Sequence, residues 1–152
     1  MCTPRKARDV EENEIFNLVG IVLQEYGITT NAAETDKDLS DLNKYYFNRK
    51  GWFEVLEDEG KIIGCYGIYR INDSTCELRK MYLLPSYQGK GLGKLMMDAA
   101  IKKAKLLGYS EVILESNQLL KKALGLYKIY GFMEYKPDHF SDRCDLAMKL
   151  KL

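Results

Sequence analysis

The segment LPSYQGKGLGK, residues 84–94, predicts the end of a strand, a turn through three glycines and the start of a helix. Pro85 removes a backbone donor and therefore ends the strand. Glycines let the backbone turn sharply and let a ligand approach closely. Consecutive N–H groups then point at one spot beside the positive end of a helix dipole, an arrangement that binds phosphate oxygens. The simpler interpretation is a glycine-rich turn that only caps a helix.

Two common phosphate-binding motifs do not fit this segment. A Walker A loop requires G-x-x-x-x-G-K-[ST], but Gly93-Lys94 is followed by Leu95, and Gln88 stands where the first glycine is needed. A dinucleotide fingerprint requires G-x-G-x-x-G, whereas the spacing here is G-x-G-x-G and no suitable parallel βαβ unit precedes it. A nucleotide-dependent switch is therefore disfavoured.

Upstream of this segment the chain predicts two helices and three strands. Apolar residues recur close to the helical period from Val10 onward, which predicts a helix over residues 9–26 with Asp9 as its N-cap and Gly27 at its end. After a polar loop, a second helix is expected over residues 37–47. The strands, rich in aromatic and β-branched residues, are expected over residues 52–56, 61–70 and 75–84.

Turn signals between these strands predict an antiparallel meander. Glu59-Gly60 separates the first two strands, and Asn72-Asp73 separates the second from the third. Because side chains alternate between the faces of a strand, the third strand is expected to place four residues on one face. These four are Glu77, Arg79, Met81 and Leu83.

Downstream of the segment, helical and strand patterns alternate. Helices are predicted over residues 91–107 and 119–130, and a strand over residues 110–115 lies between them. Two short strands, residues 132–136 and 144–150, close the chain. This order predicts an α/β sandwich that is mixed rather than doubly wound.

The composition of the 152 residues fits a single folded domain, residues 1–152. Hydrophobic residues make up 46% and charged residues 30%, which excludes general disorder. With 23 Lys and Arg against 22 Asp and Glu, the net charge of +1 gives no support to a nucleic-acid or membrane-surface partner. The first nine residues lack an apolar signal-peptide core, so we expect a cytoplasmic protein.

The cysteines and the single histidine do not predict a metal site. None of the four cysteines forms a C-x-x-C pair, and His139 is the only histidine. Zinc requires about four closely spaced ligands. We therefore expect free thiols and no metal.

Two motifs together resemble one enzyme family. The first is Q-x-x-G-x-G, formed by Gln88, Gly91 and Gly93, and the second is A-x-x-L-Y-x-x-x-G-F over residues 123–132. The pair resembles the GNAT superfamily of acetyl-CoA-dependent N-acetyltransferases, and the order of elements extends the resemblance over nearly the whole chain. The resemblance implies a GNAT-like α/β fold: a mixed, mostly antiparallel sheet of six or seven strands flanked by about four helices.

The resemblance also implies where acetyl-CoA would bind. In this family the diphosphate rests on backbone amides of the glycine-rich loop, and the pantetheine arm runs beside the preceding strand. One amide of that strand would stabilise the oxyanion that develops from the thioester carbonyl. An asparagine that often contacts pantetheine in the family is replaced by Leu120, which leaves Asn117 as the candidate. The implied residues are Met81, Tyr82, Leu83, Gln88, Gly89, Lys90, Gly91, Leu92, Gly93, Lys94, Asn117, Lys122 and Lys128.

Two side chains are candidates for proton transfer. By resemblance, Tyr127 would protonate the departing CoA thiolate, although it also fits the apolar stripe of its helix and could serve packing alone. A base is needed because an alkylammonium has a pKa near ~10.4 and only its neutral form attacks. Family members often use a glutamate on the strand before the loop, here Glu77. The alternative for Glu77 is a surface ion pair with Arg79, and Glu115 is the reserve base.

The implied reaction is direct attack of an amine on the thioester, without a covalent enzyme intermediate. Residues 9–60 hold thirteen acids against four Lys or Arg, whereas residues 88–128 hold eight lysines against three acids. An acidic first half favours a cationic acceptor, such as a small amine, polyamine or basic peptide, although charge runs are usually solvated faces. Residues 138–145 could form one wall of the acceptor site, with His139 either on the substrate or in an ordinary loop.

Two further interpretations stay open. A non-catalytic acyl-CoA sensor or interaction module would keep the glycine-rich loop and lose the chemistry. A homodimer is expected only by analogy with similar proteins.

Overall fold

Seven strands form one sheet in the computed structural model, which describes residues 2–152. They are β1 (Pro4–Lys6), β2 (Trp52–Asp58), β3 (Lys61–Arg70), β4 (Thr75–Leu83), β5 (Glu111–Ser116), β6 (Met133–Tyr135) and β7 (Leu146–Lys151). Their order across the sheet is β1-β2-β3-β4-β5-β7-β6. Every neighbouring pair is antiparallel except β4 and β5, which are parallel. This mixed, mostly antiparallel sheet confirms the predicted fold class.

Four α-helices accompany the sheet within residues 2–152: α1 (Glu12–Gln24), α2 (Leu42–Tyr45), α3 (Leu92–Leu106) and α4 (Lys121–Ile129). Single 3-10 turns occur at Asp9–Glu11, Lys37–Ser40, Phe47–Arg49 and Pro85–Tyr87. In this described part of the chain, every helix is too short or too polar to cross a membrane.

The helices cover both faces of the sheet, as two glycines of β3 show. A Cβ atom on Gly67 would lie 2.7 Å from the ring of Tyr46, which follows α2, whereas a Cβ on Gly64 would lie 3.0 Å from a methionine sulfur of α3. Residues three apart on a strand point to opposite faces. The main-chain N–H of Leu42, the first residue of α2, donates a 2.8 Å hydrogen bond to the side chain of Glu12, the first residue of α1, so these two helices lie together. Therefore α1 and α2 lie on one face and α3 on the other.

The sheet opens between β4 and β5. These strands pair only through Thr75–Glu77 and Glu111–Ile113. Beyond these residues β4 pairs only with β3, and β5 only with β7. Since α3 connects two parallel strands, their carboxyl ends lie at the same edge of the sheet, where α/β folds commonly bind ligands.

A β-bulge at Lys80 changes which side chains of β4 share a face. On β3, Gly67 and Cys65 are two positions apart, whereas their partners on β4, Arg79 and Tyr82, are three positions apart. Strand β4 therefore carries one extra residue between Arg79 and Tyr82. Opposed residues of an antiparallel pair point to the same face. Tyr82, rather than Leu83, therefore shares the face of Glu77. The predicted alternation is wrong for Met81 and Leu83, because a bulge at Lys80 shifts the period by one residue.

The predicted helix over residues 37–47 is wrong as a single element. Asp41 is extended, with φ −158° and ψ 85°, and its carboxylate accepts a 3.0 Å hydrogen bond from the main-chain N–H of Lys44. It caps the short α2 and separates it from the preceding 3-10 turn, because an aspartate side chain competes with helix continuation.

The predicted start of the first helix is also wrong. Residues 9–11 form a 3-10 turn, and α1 starts at Glu12, so Asp9 is not its N-cap. The turn leaves Val10 86% exposed instead of on the apolar stripe. The other predicted elements are present, with ends moved by at most three residues.

Candidate active site

A cavity of about 570 Å³ occupies the cleft between β4 and β5. It extends from the glycine-rich loop to Glu77 and Glu115. The β3 partners of Glu77 and Leu83 are five steps apart and a strand rises ~3.3 Å per residue, so this part of β4 spans about 16 Å. Tyr127 also lines the cavity. One continuous space therefore joins the predicted cofactor loop to the candidate acid and bases.

The loop before α3 holds a row of free main-chain donors. Gly89 and Gly91 have φ angles of 76° and 84°, which glycine adopts readily. The N–H groups of residues 89–94 donate to no acceptor within residues 2–152. They lie at the N-terminus of a 15-residue helix, whose dipole makes this end positive. The geometry can therefore bind an anion through consecutive backbone donors.

Side chains around this loop hold it in place and leave room for a ligand. Gln88 Nε2 donates to the carbonyl of Leu83 at 2.9 Å, which ties the loop to the end of β4. Lys122 Nζ lies 3.5 Å from Gln88 Oε1 and brings a positive charge to the loop. Gly93 has no positive φ, and in the described part of the chain a Cβ atom there would meet only Leu126, at an ordinary 3.6 Å. A side chain at position 93 would instead occupy cavity space.

Most of the residues predicted to bind the cofactor line this cavity. These are Met81, Tyr82, Leu83, Gln88, Gly89, Gly91, Gly93, Lys94, Asn117 and Lys122. Lys90, Leu92 and Lys128 are not part of the lining. Lys90 and Lys128 are exposed, and the ammonium of Lys90 lies 5.7 Å from the ring centroid of Tyr87. Contacts of these three residues with CoA stay predictions.

Asn117 lines the cavity, but its side chain is already engaged. Its Nδ2 donates to the carbonyl of Arg143 at 3.0 Å, and its Oδ1 accepts from the N–H of Leu119 at 2.9 Å. Asn117 therefore holds the segment between β6 and β7 against the end of β5. A contact with pantetheine through this side chain would compete with those bonds.

Glu77 and Arg79 form an ion pair through Glu77 Oε1 and Arg79 Nε. The side chain of Glu77 is only 8% exposed, whereas that of Arg79 is 32% exposed, so the pair is partly buried. Arg79 also stacks on Tyr69, with the guanidinium carbon 3.6 Å from the ring centroid. Oxygen Oε2 of Glu77 has no hydrogen-bond partner within residues 2–152, and Glu77 lines the cavity. One carboxylate oxygen is thus available to a ligand.

Tyr127 is buried and packs against Phe132, with ring centroids 5.8 Å apart. Burial raises the pKa of the Tyr127 hydroxyl above its usual value, and the nearby Tyr82 and Cys144 raise it further. The hydroxyl has no hydrogen-bond partner within residues 2–152. It stays protonated at neutral pH and can donate to a group in the cavity.

The segment between β6 and β7 includes residues 138–145, which the sequence suggested as one wall of the acceptor site, and it contributes to the cavity. Ser141, Arg143 and Cys144 line the space, whereas His139 is exposed and is not part of the lining. Burial raises the pKa of the Cys144 thiol, and Glu115 and Glu77 add to the shift. Cys144 therefore stays a neutral thiol near the candidate bases.

Arg143 is held by Asp36, which lies 107 residues earlier in the chain, through hydrogen bonds of 2.7 and 2.6 Å. Asp36 is completely buried. The same carboxylate lies 3.4 Å from the ammonium of Lys80. No local motif marks this pairing, and only a contact between distant segments could have indicated it.

The fold, together with a match of residues 20–132 to the family model described as Acetyltransferase (GNAT) family, defines this protein as an acyltransferase. The chain belongs to the GNAT family, and the resemblance predicted from its two motifs is confirmed. It is 36% identical over 123 residues to Uncharacterized N-acetyltransferase YjgM of Escherichia coli (strain K12), covering 78% of this chain and 74% of that relative.

Solved structures share the fold at low identity. An acetyltransferase of the GNAT family from Staphylococcus aureus Mu50 is similar with a TM-score of 0.92 and 20% identity, over 99% of both chains. The PaiA N-acetyltransferase from Thermoplasma acidophilum in complex with coenzyme A is similar with a TM-score of 0.81 and 19% identity, over 100% of this chain and 99% of that chain.

Proposed function

We propose that this protein transfers the acetyl group of acetyl-CoA to a primary amine of a small molecule or peptide by direct attack. The observation that carries the proposal is the single cavity that joins the free N–H groups of residues 89–94 to Glu77 and Tyr127. A donor site and two proton-transfer groups in one space are what this transfer needs.

The donor would lie along β4. The N–H groups of residues 89–94 would bind the diphosphate, and Lys122 and Lys94 would add positive charge. The pantetheine would follow the main chain at Met81, Tyr82 and Leu83. A protein with the same fold has been solved in complex with coenzyme A, which supports a CoA thioester as the donor.

The transfer itself needs two proton movements. The neutral amine nitrogen forms a bond to the thioester carbon while the carbonyl oxygen gains negative charge, which a main-chain N–H of β4 would stabilise. Glu77 Oε2 would take a proton from the amine, directly or through one water. The carbon–sulfur bond then breaks, and Tyr127 would protonate the leaving thiolate. Glu115, also in the cavity wall, stays the reserve base.

Charge pairing in the cavity wall supports a cationic acceptor. The basic side chains near Glu77 are each paired with a carboxylate. Two lining carboxylates, Glu34 and Glu115, form no ion pair within residues 2–152. Among the described residues, the carboxylate of Glu115 accepts a hydrogen bond only from the main chain of Ser141, at 3.1 Å. Glu34 and Glu115 therefore give the cavity wall negative charge without a paired base, and such charge attracts an ammonium group.

A broad amine screen that follows release of the CoA thiol tests the proposal. We expect turnover that requires both acetyl-CoA and an amine, with diamines and polyamines preferred over neutral amino acids. Absence of thiol release with every amine class would overturn the transferase assignment. A preference for neutral or anionic amines would overturn only the cationic acceptor.

The single domain, the cytoplasmic location, the homodimer, and the absence of nucleic-acid, membrane and metal partners stay predictions. Cell fractionation, sedimentation and a metal assay of the purified protein would check them.

A further inference from the structure

Lys80 adopts an unusual backbone conformation at the centre of the proposed acyl site. Its φ angle is 56°, in the left-handed region, and it is the extra residue of the β4 bulge. Lysine rarely occupies this region, and such a residue persists only when its surroundings hold it there. The residues that follow, Met81 and Tyr82, line the cavity where the thioester is proposed to lie.

The side chain of Lys80 is anchored in a buried ionic cluster. Its ammonium donates to the carbonyl of Thr35 at 3.0 Å and lies 3.4 Å from Asp36 and 3.2 Å from Asp38. All three charged side chains are at most 6% exposed. Oxygen Oδ1 of Asp38 makes no hydrogen bond within residues 2–152 and lies beside the ammonium, while the hydroxyl of Tyr46 donates to Oδ2, so both groups stabilise the buried charge.

The main chain of Lys80 has its own partner. The thiol of Cys65 donates to the Lys80 carbonyl, with a sulfur–oxygen distance of 3.1 Å. Burial raises the pKa of Cys65 to about 12, so this thiol keeps its proton at neutral pH. Both the side chain and the carbonyl of the bulged residue are therefore held.

The same cluster reaches the acceptor wall. Asp36 binds both Lys80 and Arg143, and Arg143 lines the cavity. Burial alone would raise the pKa of Asp36, but the hydrogen bonds from Arg143 and Asn31 and the charge of Lys80 lower it, so the carboxylate is ionised. The bulge and the segment between β6 and β7 are thus joined through one buried carboxylate.

We propose that Lys80 is a positioning residue, whose anchorage by Asp36, Asp38 and Cys65 aims the main-chain N–H of Met81 at the thioester carbonyl. This role rests on the proposed transferase function. If Lys80 has this role, loss of its side-chain contacts should lower kcat more than it lowers the affinity for CoA. The reason is that the contact with the oxyanion develops only in the transition state, whereas the other CoA contacts already exist in the bound state.

The test compares Lys80→Gly with Lys50→Gly. Glycine accepts the left-handed conformation but removes the anchor at Lys80. Lys50 also has a positive φ, 57°, and lies outside the cavity, so it is the matched control. We expect at least a tenfold loss of kcat in Lys80→Gly, a Kd for CoA within threefold of the parent, and no change in kcat for Lys50→Gly. An unchanged kcat in folded Lys80→Gly would overturn the role.

A second pair of variants tests the same role if Lys80→Gly does not fold. Cys65→Ala removes the donor to the Lys80 carbonyl, whereas Cys65→Ser keeps a donor. We expect kcat to fall in the alanine variant and to be largely kept in the serine variant; equal kcat values would overturn the role. The ¹⁵N–¹H signals of Met81 and Tyr82 in the ligand-free protein should move in both Lys80→Gly and Cys65→Ala. These signals show whether the anchor holds the bulge, and they can be measured even if the parent protein transfers no acetyl group. Absence of transfer by the parent would refute the proposed function but would leave this structural result intact.

Discussion

Glu77 and Arg79 lie two residues apart on the same face of β4 and form an ion pair at the edge of the cavity. The pair occupies one oxygen of the carboxylate and leaves the other without a partner within residues 2–152. An arginine that stacks on an aromatic ring is held firmly, so it fixes the orientation of the glutamate. The ion pair is compatible with a base that accepts through its second oxygen.

Replacing Glu77 tests that role directly. Glu77→Gln should lower kcat by about 10²–10⁴-fold, the usual contribution of a positioned base, with little change in the KM for acetyl-CoA. Glu115→Gln is the comparison and should cost less. Steady-state kinetics at saturating acetyl-CoA measures both. Near-normal kcat in Glu77→Gln, with a large loss in Glu115→Gln, would transfer the role to Glu115.

Tyr127→Phe should keep CoA binding and lose turnover. The ring keeps its packing on Phe132, and the hydroxyl has no partner within residues 2–152, so the melting temperature should change little. Because burial raises the pKa of Tyr127, its hydroxyl should stay protonated up to at least about pH 10, its usual pKa. A pH–rate profile of the parent should therefore show no loss from this group below that pH. Unaltered kcat in the variant would leave Tyr127 with packing alone.

Gly93→Ala should weaken the binding of CoA without lowering the stability of the protein. The new methyl group meets only Leu126 at 3.6 Å, so the fold should be kept, while the affinity for CoA should fall at least tenfold. Gly125→Ala on α4 is the matched control, since no atom of residues 2–152 lies within 4 Å of the added Cβ. It should stabilise the helix by about 0.5–1 kcal/mol and leave CoA affinity unchanged. Calorimetric titration and thermal melting measure both, and equal affinities in the two variants would contradict a ligand at Gly93.

Lysines that line the cavity should contribute more to the affinity for CoA than lysines that do not. Lys122→Ala should weaken CoA binding several-fold, and the effect should shrink as salt screens the charge. Lys128→Ala, on the same helix but outside the lining, should have little effect. Titrations at low and high ionic strength compare the two. A stronger effect of Lys128 would place the CoA phosphates elsewhere.

The acid stability of the fold should depend on Glu11. Hydrogen bonds from Arg5 and Arg8 lower the pKa of Glu11 from 4.5 to about 2. A depressed pKa means stability that is present above pH 4.5 and is lost as the pH falls toward 2. The shift corresponds to about 3 kcal/mol at most. Urea unfolding of Glu11→Gln should therefore show a lower free energy at neutral pH and a flatter decline between pH 4.5 and 2; a parallel decline would contradict this.

The periodic parts of the fold were predictable from sequence. Strand β3 was predicted at its observed ends, residues 61–70, because aromatic and β-branched residues lie between two clear turn signals. The glycine-rich loop was predictable because its conformation needs glycine at 89 and 91. Apolar spacing alone misled at residues 37–47, where the Asp41 side chain competes with the helix.

The geometry of the acyl site depends on features without a local signal. The bulge sits on a lysine, a residue with no preference for positive φ, so strict alternation placed Leu83 on the wrong face. Arg143 and Asp36 meet only because the segment between β6 and β7 folds back to the loop after α1. Contacts of this kind depend on tertiary packing rather than on sequence period.

A titration of ¹⁵N-labelled protein with coenzyme A shows whether the glycine-rich loop binds the CoA diphosphate. The amides of residues 89–94 lack acceptors within residues 2–152, so binding of a diphosphate should move their proton signals strongly downfield. We expect these signals, with those of Met81 and Tyr82, to saturate together at one CoA per chain. Saturable binding that leaves the amides of residues 89–94 unmoved, or no binding at all, would contradict the account.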